Sequence, residues 1–222
     1  MASKAVTGVG MSGSDTTIDR LLARHGRTYC DELGIDIAKN TPSVLFRWLV
    51  ASILYSSRIS ADNATATARA LTEAGLTTAE KMSAASWQDR VDVLTAHGYK
   101  RFDESYSRNL GETAERLRDD YDGDLRKRRE AAAEDPTDER RRLLAFKGLG
   151  DIGVDIFFRE AQMAWQELRP FTDRKALQAA EKLGLPKTAK GLAGKVSEAD
   201  FPRLVAALVR TDLAKDYPEM KG

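Results

Sequence analysis

Two places in the sequence carry residue types that could do chemistry. The first is Leu143-Leu144-Ala145-Phe146-Lys147-Gly148-Leu149-Gly150-Asp151-Ile152-Gly153-Val154. Apolar residues run into Gly-Leu-Gly, and a second helix pattern follows, with Ile156, Phe157 and Ala161 facing inward. So tight a turn between helices needs glycine, because the backbone must take positive φ and approach closely. It also points the free amide N–H groups at the start of the second helix outward, where an anion such as a phosphate fits. Lys147, Gly148, Leu149, Gly150 and Gly153 are the candidate contacts. On its own, an ordinary helix–turn–helix corner accounts for Gly-x-Gly equally well. The second place is Asp173, in Arg169-Pro170-Phe171-Thr172-Asp173-Arg174-Lys175. An aspartate at a helix start caps the helix. Beside a reacting centre it stabilises developing positive charge or takes a proton from water. Arg174 and Lys175 next to it would contact phosphate or lower its pKa through their charge.

The elements that must position these groups read as helices throughout. Residues 1–17 are rich in Gly, Ser, Thr and Ala without periodicity and suit a mobile tail, not a secretory signal. A first helix is expected over 18–33, stopping at Gly34. Thr41-Pro42-Ser43 opens VLFRWLVASILYSS, apolar almost all round the helical wheel and therefore a central buried helix. Ser60, Thr78 and Ser86 each stand where a helix would start. Residues 102–121 form a long amphipathic helix with Tyr106, Leu110, Thr113 and Leu117 on one face. The segment 125–142 departs from this order, with Arg126-Lys127-Arg128-Arg129 and Arg140-Arg141-Arg142 separated by acids and Asp135-Pro136. It reads as an exposed charged helix and loop, with phosphate contact as the lesser reading. β-branched alternation is absent, so the fold class is all-α.

Composition removes several classes of function. The 222 residues are 42% hydrophobic and 31% charged, which suits a folded soluble chain. One cysteine, Cys30, and two histidines, His25 and His97, leave no basis for a disulfide framework, a zinc cage or an iron–sulfur cluster. No metal and no cofactor are expected. The apolar runs are interrupted, as at Arg47 and Ser52, and stop short of a membrane span. A cytoplasmic protein without membrane contact is expected. The net charge of +1 is nearly balanced, although cations exceed acids from Arg140 onward and acids exceed cations before it.

The order of these features resembles the helix-hairpin-helix DNA glycosylase superfamily, whose best-known branch is endonuclease III. The family's pattern is a hairpin, a loop with proline or glycine, and an essential aspartate at a helix start. Counting on from Asp173, the family's basic–Leu–Gly helix ending falls on Lys182-Leu183-Gly184. Upstream, Thr41-Pro42, the buried helix, Ser60-Ala61-Asp62-Asn63-Ala64 and Gly98-Tyr99-Lys100 are similar to parts of the family's six-helix barrel. The likeness covers residues 41–186, with a weaker echo over 201–215.

Departures from the pattern bear on the chemistry. Bifunctional members carry a lysine two residues after the second glycine and use its amine on the sugar; here that residue is Ile152. A Schiff-base route is therefore not expected. Ser57, beside Arg58, stands where some members have a glutamine that fills the gap left by a flipped base. The resemblance thus implies a monofunctional base-excision glycosylase that hydrolyses the N-glycosidic bond of a damaged or mismatched base flipped from duplex DNA. Asp173 would be the catalytic residue. Ser57, Arg58, Arg174 and Lys175 would join the hairpin in binding DNA, and Trp48, Tyr55 and Phe171 would wall a base pocket. The alternative is a degenerate member that binds DNA without chemistry. Catalysis requires the Asp173 carboxylate to be exposed in a cleft facing the hairpin. Asp173→Asn is expected to keep the cap and hence the stability. The resemblance also implies a monomer with two helical lobes: 41–169, holding the hairpin over 143–160, and a terminal lobe from 18–40 and 170–222.

Overall fold

A computed structural model describes residues 13–97 and 103–221. Every regular element among them is helical. Gly98, Tyr99 and Lys100 lie outside the described residues, as do most of the N-terminal tail and Phe102. In chain order the α-helices are α1 (Gly13–His25), α2 (Tyr29–Glu32), α3 (Pro42–Tyr55), α4 (Ala61–Glu73), α5 (Ala79–Ala84), α6 (Trp87–Ala96) and α7 (Asp103–Tyr121). They continue as α8 (Leu125–Ala131), α9 (Pro136–Leu143), α10 (Asp151–Ala161), α11 (Arg174–Lys182), α12 (Ala189–Ala193), α13 (Asp200–Ala214) and α14 (Tyr217–Met220). The chain divides into two compact units, Thr28–Asp173 and the remainder on either side of it.

Local chemistry explains most helix starts. The side chains of Ser60, Thr78 and Ser86 accept from the backbone N–H of Asn63, Lys81 and Asp89, and Ser86 with Asp89 completes a capping box. The first helix differs from the sequence expectation. It begins earlier, at Gly13, and stops at His25. At Gly26 a Cβ would lie 2.3 Å from the carbonyl oxygen of Leu22, so the chain can pass there only as glycine. It restarts as α2, whose first two amides, of Tyr29 and Cys30, donate to the two carboxylate oxygens of Glu160 at 2.6 Å each. Burial pushes the Glu160 carboxyl up while those hydrogen bonds pull it back. This contact lies within the larger unit, which begins at Thr28.

In the larger unit α3 packs against α4, α8 and α10. Leu45, Leu49, Ile53 and Leu54 are wholly buried, each worth ~1.5–3 kcal/mol on burial. Arg90 is buried and donates to the carbonyls of Met82, Ala85 and Ser107, which joins α5, α6 and α7. The segment 125–142 is ordered, not a loose loop: it forms α8 and α9, and inside it Arg128 and Glu139 are fully buried. Its other cations are paired, Arg126 with Asp124, Lys127 with Asp122, Arg129 with Glu167, Arg140 with Asp155, and Arg141 and Arg142 with Asp138. Positive charge neutralised in this way leaves little field for a phosphate.

In the smaller unit α13 packs against α1 and α11. Arg203 and Arg210 on α13 donate to the carbonyls of Gly26 and Arg27, satisfying acceptors left free where α1 ends. Asp212 accepts from Tyr217 and from Lys182 and Lys215.

Candidate nucleic-acid interface

The hairpin is built as its sequence requires. Gly148 has φ +77°, and a Cβ there would sit 3.0 Å from the Asn109 amide nitrogen. Glycine is therefore demanded twice at this position, by conformation and by space. Gly150 is the N-cap of α10, with φ −87° and nothing within 4 Å of a built Cβ. Its neighbourhood is open. Gly153 is buried, with a Cβ position 3.4 Å from Ser56 Oγ and 2.6 Å from Leu149. The turn is held from behind by α7: Thr113 Oγ1 donates to the carbonyl of Lys147 at 2.9 Å, and Arg116 donates to that of Ala145. Lys147, Gly148, Gly150, Asp151 and Ile152 are exposed, whereas Leu149 is buried beneath them. No side chain caps α10, so its first amides face outward.

Beside the hairpin, where α3 ends, Ser56, Ser57, Arg58 and Tyr106 line a cavity of about 330 Å³. Ser56 links the two features through its approach to Gly153. The serine hydroxyls donate back to the carbonyls of Ile53 and Leu54. Arg58 is exposed and has no hydrogen bond or ion pair among the described residues. Burial raises the Tyr106 phenol, and a hydrogen bond with Ser57 opposes the shift.

Asp173 immediately precedes α11, as its position in the sequence suggests. Its carboxylate is not open to solvent, however: Asp173 is 5% exposed and pairs with Arg159, itself 5% exposed. Arg159 Nε donates to Asp173 Oδ2 at 2.8 Å, and Nη2 donates to the same oxygen. Burial disfavours the Arg159 charge, and the Asp173 carboxylate outweighs that and raises its pKa. The loop before Asp173 is fastened to the end of α10 as well. Gln162 exchanges hydrogen bonds with the backbone of Phe171, and Arg169 donates to the carbonyls of Gln162 and Met163. Ile152 and Arg159 are seven residues apart, so they share one face of α10 about 10 Å apart along its axis.

The remaining expected residues are spread more widely. Trp48 is fully buried and its indole donates to the carbonyl of Phe157. Tyr55 packs edge-on against Tyr29, and its hydroxyl shares a hydrogen bond with Thr65. Phe171 packs edge-on against Phe158. None of the three lines the cavity, whose aromatic side is Tyr106. Arg174 and Lys175 open α11 in the other unit, where Lys175 lies 3.4 Å from Asp212. Arg159, Gln162 and Asn109 were not singled out in the sequence. Only Arg159 carried a signal, as the one cation of α10, directly after the apolar Ile156-Phe157-Phe158.

Among the described residues no group of three or more His, Cys, Asp or Glu could hold a metal ion, and no helix is long and apolar enough to cross a membrane. No family model matches the chain. No curated protein matches it either. Among solved structures, a non-covalent endonuclease III–DNA complex is similar, with a TM-score of 0.55 and 15% identity over 90% of this chain and 86% of that one. A trapped covalent endonuclease III–DNA intermediate, an estranged-adenine complex, aligns over the same shares with a TM-score of 0.53 and 14% identity. The chain therefore shares the all-α fold of endonuclease III.

Proposed function

We propose that this chain binds duplex DNA through the hairpin at 147–153, acting within base-excision repair as a reader of the duplex. The observation that carries this reading is the hairpin itself: an exposed, uncapped start to α10, held rigidly from behind by Thr113 and Arg116. Backbone amides of this kind bind phosphate and so position a protein on DNA without reading sequence. Lys147 and Arg58 add exposed cations on the same unit. The likeness to structures solved with endonuclease III and DNA supports the same reading. The test is the affinity of the protein for a short duplex at increasing salt. Affinity falling with salt and weakened in a folded Gly150→Val protein supports the reading; undiminished binding by that variant overturns it.

A second reading adds hydrolysis of an N-glycosidic bond, with Asp173 as the catalytic group. Its support is the position of Asp173 at the start of α11, tied to the face of α10 that begins at the hairpin. One feature weighs against it: Arg159 already neutralises the carboxylate that would stabilise a cationic sugar. Binding without hydrolysis is therefore the reading that the geometry supports best. A panel of single-lesion duplexes, each treated with alkali to cleave abasic sites, separates the two.

A further inference from the structure

Two fully buried residues of the segment 125–142 leave hydrogen-bonding capacity unused. Among the described residues neither carboxylate oxygen of Glu139 on α9 has a partner, and nor do Nε and Nη2 of Arg128 on α8. Arg128 Nη1 donates instead to the backbone carbonyl of Glu139 at 2.7 Å, so the two side chains are neighbours that do not pair. Glu167, in the 3-10 turn Gln166–Leu168, faces the Glu139 carboxyl and is itself held by Arg129 at 2.5 and 2.6 Å. Arg128 and Arg129 lie 5.9 and 5.6 Å from the centre of the Trp165 ring. The other charged and titratable groups around the cluster are Tyr121 on α7, Asp138 and Arg142 on α9, and Glu134 against Arg129.

A buried carboxylate without a donor is far costlier ionised than protonated. Glu139 as placed therefore carries its proton; burial, then the facing Glu167, push its carboxyl up to about 8. When the proton leaves, the new charge meets Glu167 on one side and two unused N–H groups of Arg128 on the other. Turning toward Arg128 converts these neighbours into an ion pair between α8 and α9. That movement reaches the hairpin. Leu143, one turn beyond Glu139 on the same face of α9, is wholly buried, and the hairpin turn follows it directly. Arg140, adjacent to Glu139, pairs with Asp155 and lies 5.4 Å from the Phe158 ring centre, both on α10. Helix α9 thus sets the hairpin from its entry side.

We infer that Glu139, Arg128 and Glu167 form a proton-operated switch, which presents the hairpin to DNA while Glu139 is protonated and displaces it when Glu139 ionises and pairs with Arg128. The inference rests on the hairpin reading above and adds its regulation. Only a proton moves, from the Glu139 carboxyl to solvent, and the DNA is unchanged.

The test measures the affinity of the full chain for one short intact duplex from about pH 6 to about pH 9 at constant ionic strength. Wild-type affinity should fall about tenfold across that range, because one unit above a pKa of about 8 only about a tenth of the protein holds the proton. Glu139→Gln mimics the protonated acid and should bind equally at both limits. Glu167→Gln removes the facing charge and should move the midpoint of the fall to lower pH. Far-UV circular dichroism at each pH checks that the proteins are folded. Wild-type affinity that does not fall, falls equally in Glu139→Gln, keeps its midpoint in Glu167→Gln, or falls only as helical signal is lost overturns the switch alone. Failure of the folded wild-type protein to bind at the lowest pH removes the hairpin reading and the switch with it.

Discussion

Arg159 Nε donates to Asp173 Oδ2 at 2.8 Å, and neither residue is more than 5% exposed. The pair ties the last turns of the hairpin helix to the loop that precedes α11. A buried ion pair is weak support for net stability, but removing one partner leaves the other charged and dry. Asp173→Asn therefore should not preserve stability, contrary to what capping capacity alone implies. We expect Asp173→Asn and Arg159→Met to lower unfolding free energy, by about 3–5 kcal/mol for loss of a buried partner. Urea denaturation checks this, and an unchanged midpoint for either variant would show that the pair is not structural.

The two hairpin glycines should respond differently to substitution. Gly148→Ala must take φ +77° and press on Asn109, so it should cost at least ~1 kcal/mol of stability. Gly150→Ala meets ordinary φ and open space, and its melting temperature should stay close to that of the wild type. Thermal melts of the two proteins decide this. Equal destabilisation would mean that the turn is not held as described.

Glu139 gives the larger unit a pH dependence of unusual sign. Burial, then the nearby Glu167, push its carboxyl up to about 8, while Arg128 and Arg129 oppose the shift. Glu167 moves the other way, downward: burial opposes that shift, and the Arg129 hydrogen bond outweighs it. A carboxyl whose folded pKa is raised binds its proton more tightly when folded. Its contribution is complete below the ordinary carboxylate range and is lost as pH rises towards 8. Stability should therefore decline between about pH 5 and pH 8, the window set by an ordinary glutamate and the raised one. Glu139→Gln should flatten that decline in urea midpoints measured across the window; an unaltered slope would exclude Glu139 as its source.

The smaller unit should show the opposite behaviour. Burial disfavours ionised Asp212, but hydrogen bonds from Tyr217, Lys215, Lys182 and Lys175 outweigh it and hold the carboxyl well below the usual aspartate range. The stability it supplies is present above the unfolded aspartate pKa of about 3.9 and is lost as pH falls further. Asp212→Asn should accordingly lower the melting temperature at pH 7 and matter progressively less in strong acid. A constant difference between the two proteins across that range would contradict the assignment.

Features written in local sequence were the legible ones. Ser60, Thr78 and Ser86 announce their helices because a cap acts over three residues, and the hairpin reads from Gly148 because its positive φ demands glycine. What stayed hidden depends on partners far along the chain. The break at Gly26 and the restart at Tyr29 follow from Glu160, 131 residues away from Tyr29. Arg128 and Glu139 sit in a run whose composition suggests solvent, yet both are buried. Trp48 and Tyr106 could be told apart only by packing: one completes the core, the other lines the cavity.

The chemistry itself is open to a direct test. If Asp173 acts on a glycosidic bond, wild-type protein should release a base from at least one lesion duplex. Asp173→Asn should then lower that release by about two to four orders of magnitude, the range for a principal electrostatic or general-base group. That loss must be separated from unfolding, since the same change removes the partner of Arg159. Measuring at low temperature, where circular dichroism shows the variant folded, makes the separation. With Ile152 in place of an amine, borohydride should trap no covalent adduct with DNA. A trapped adduct would assign the chemistry to another amine. Base release that is undiminished in folded Asp173→Asn would leave the carboxylate a purely structural partner of Arg159. If no lesion is processed while duplex binding persists, the hairpin acts as a reader of DNA without chemistry.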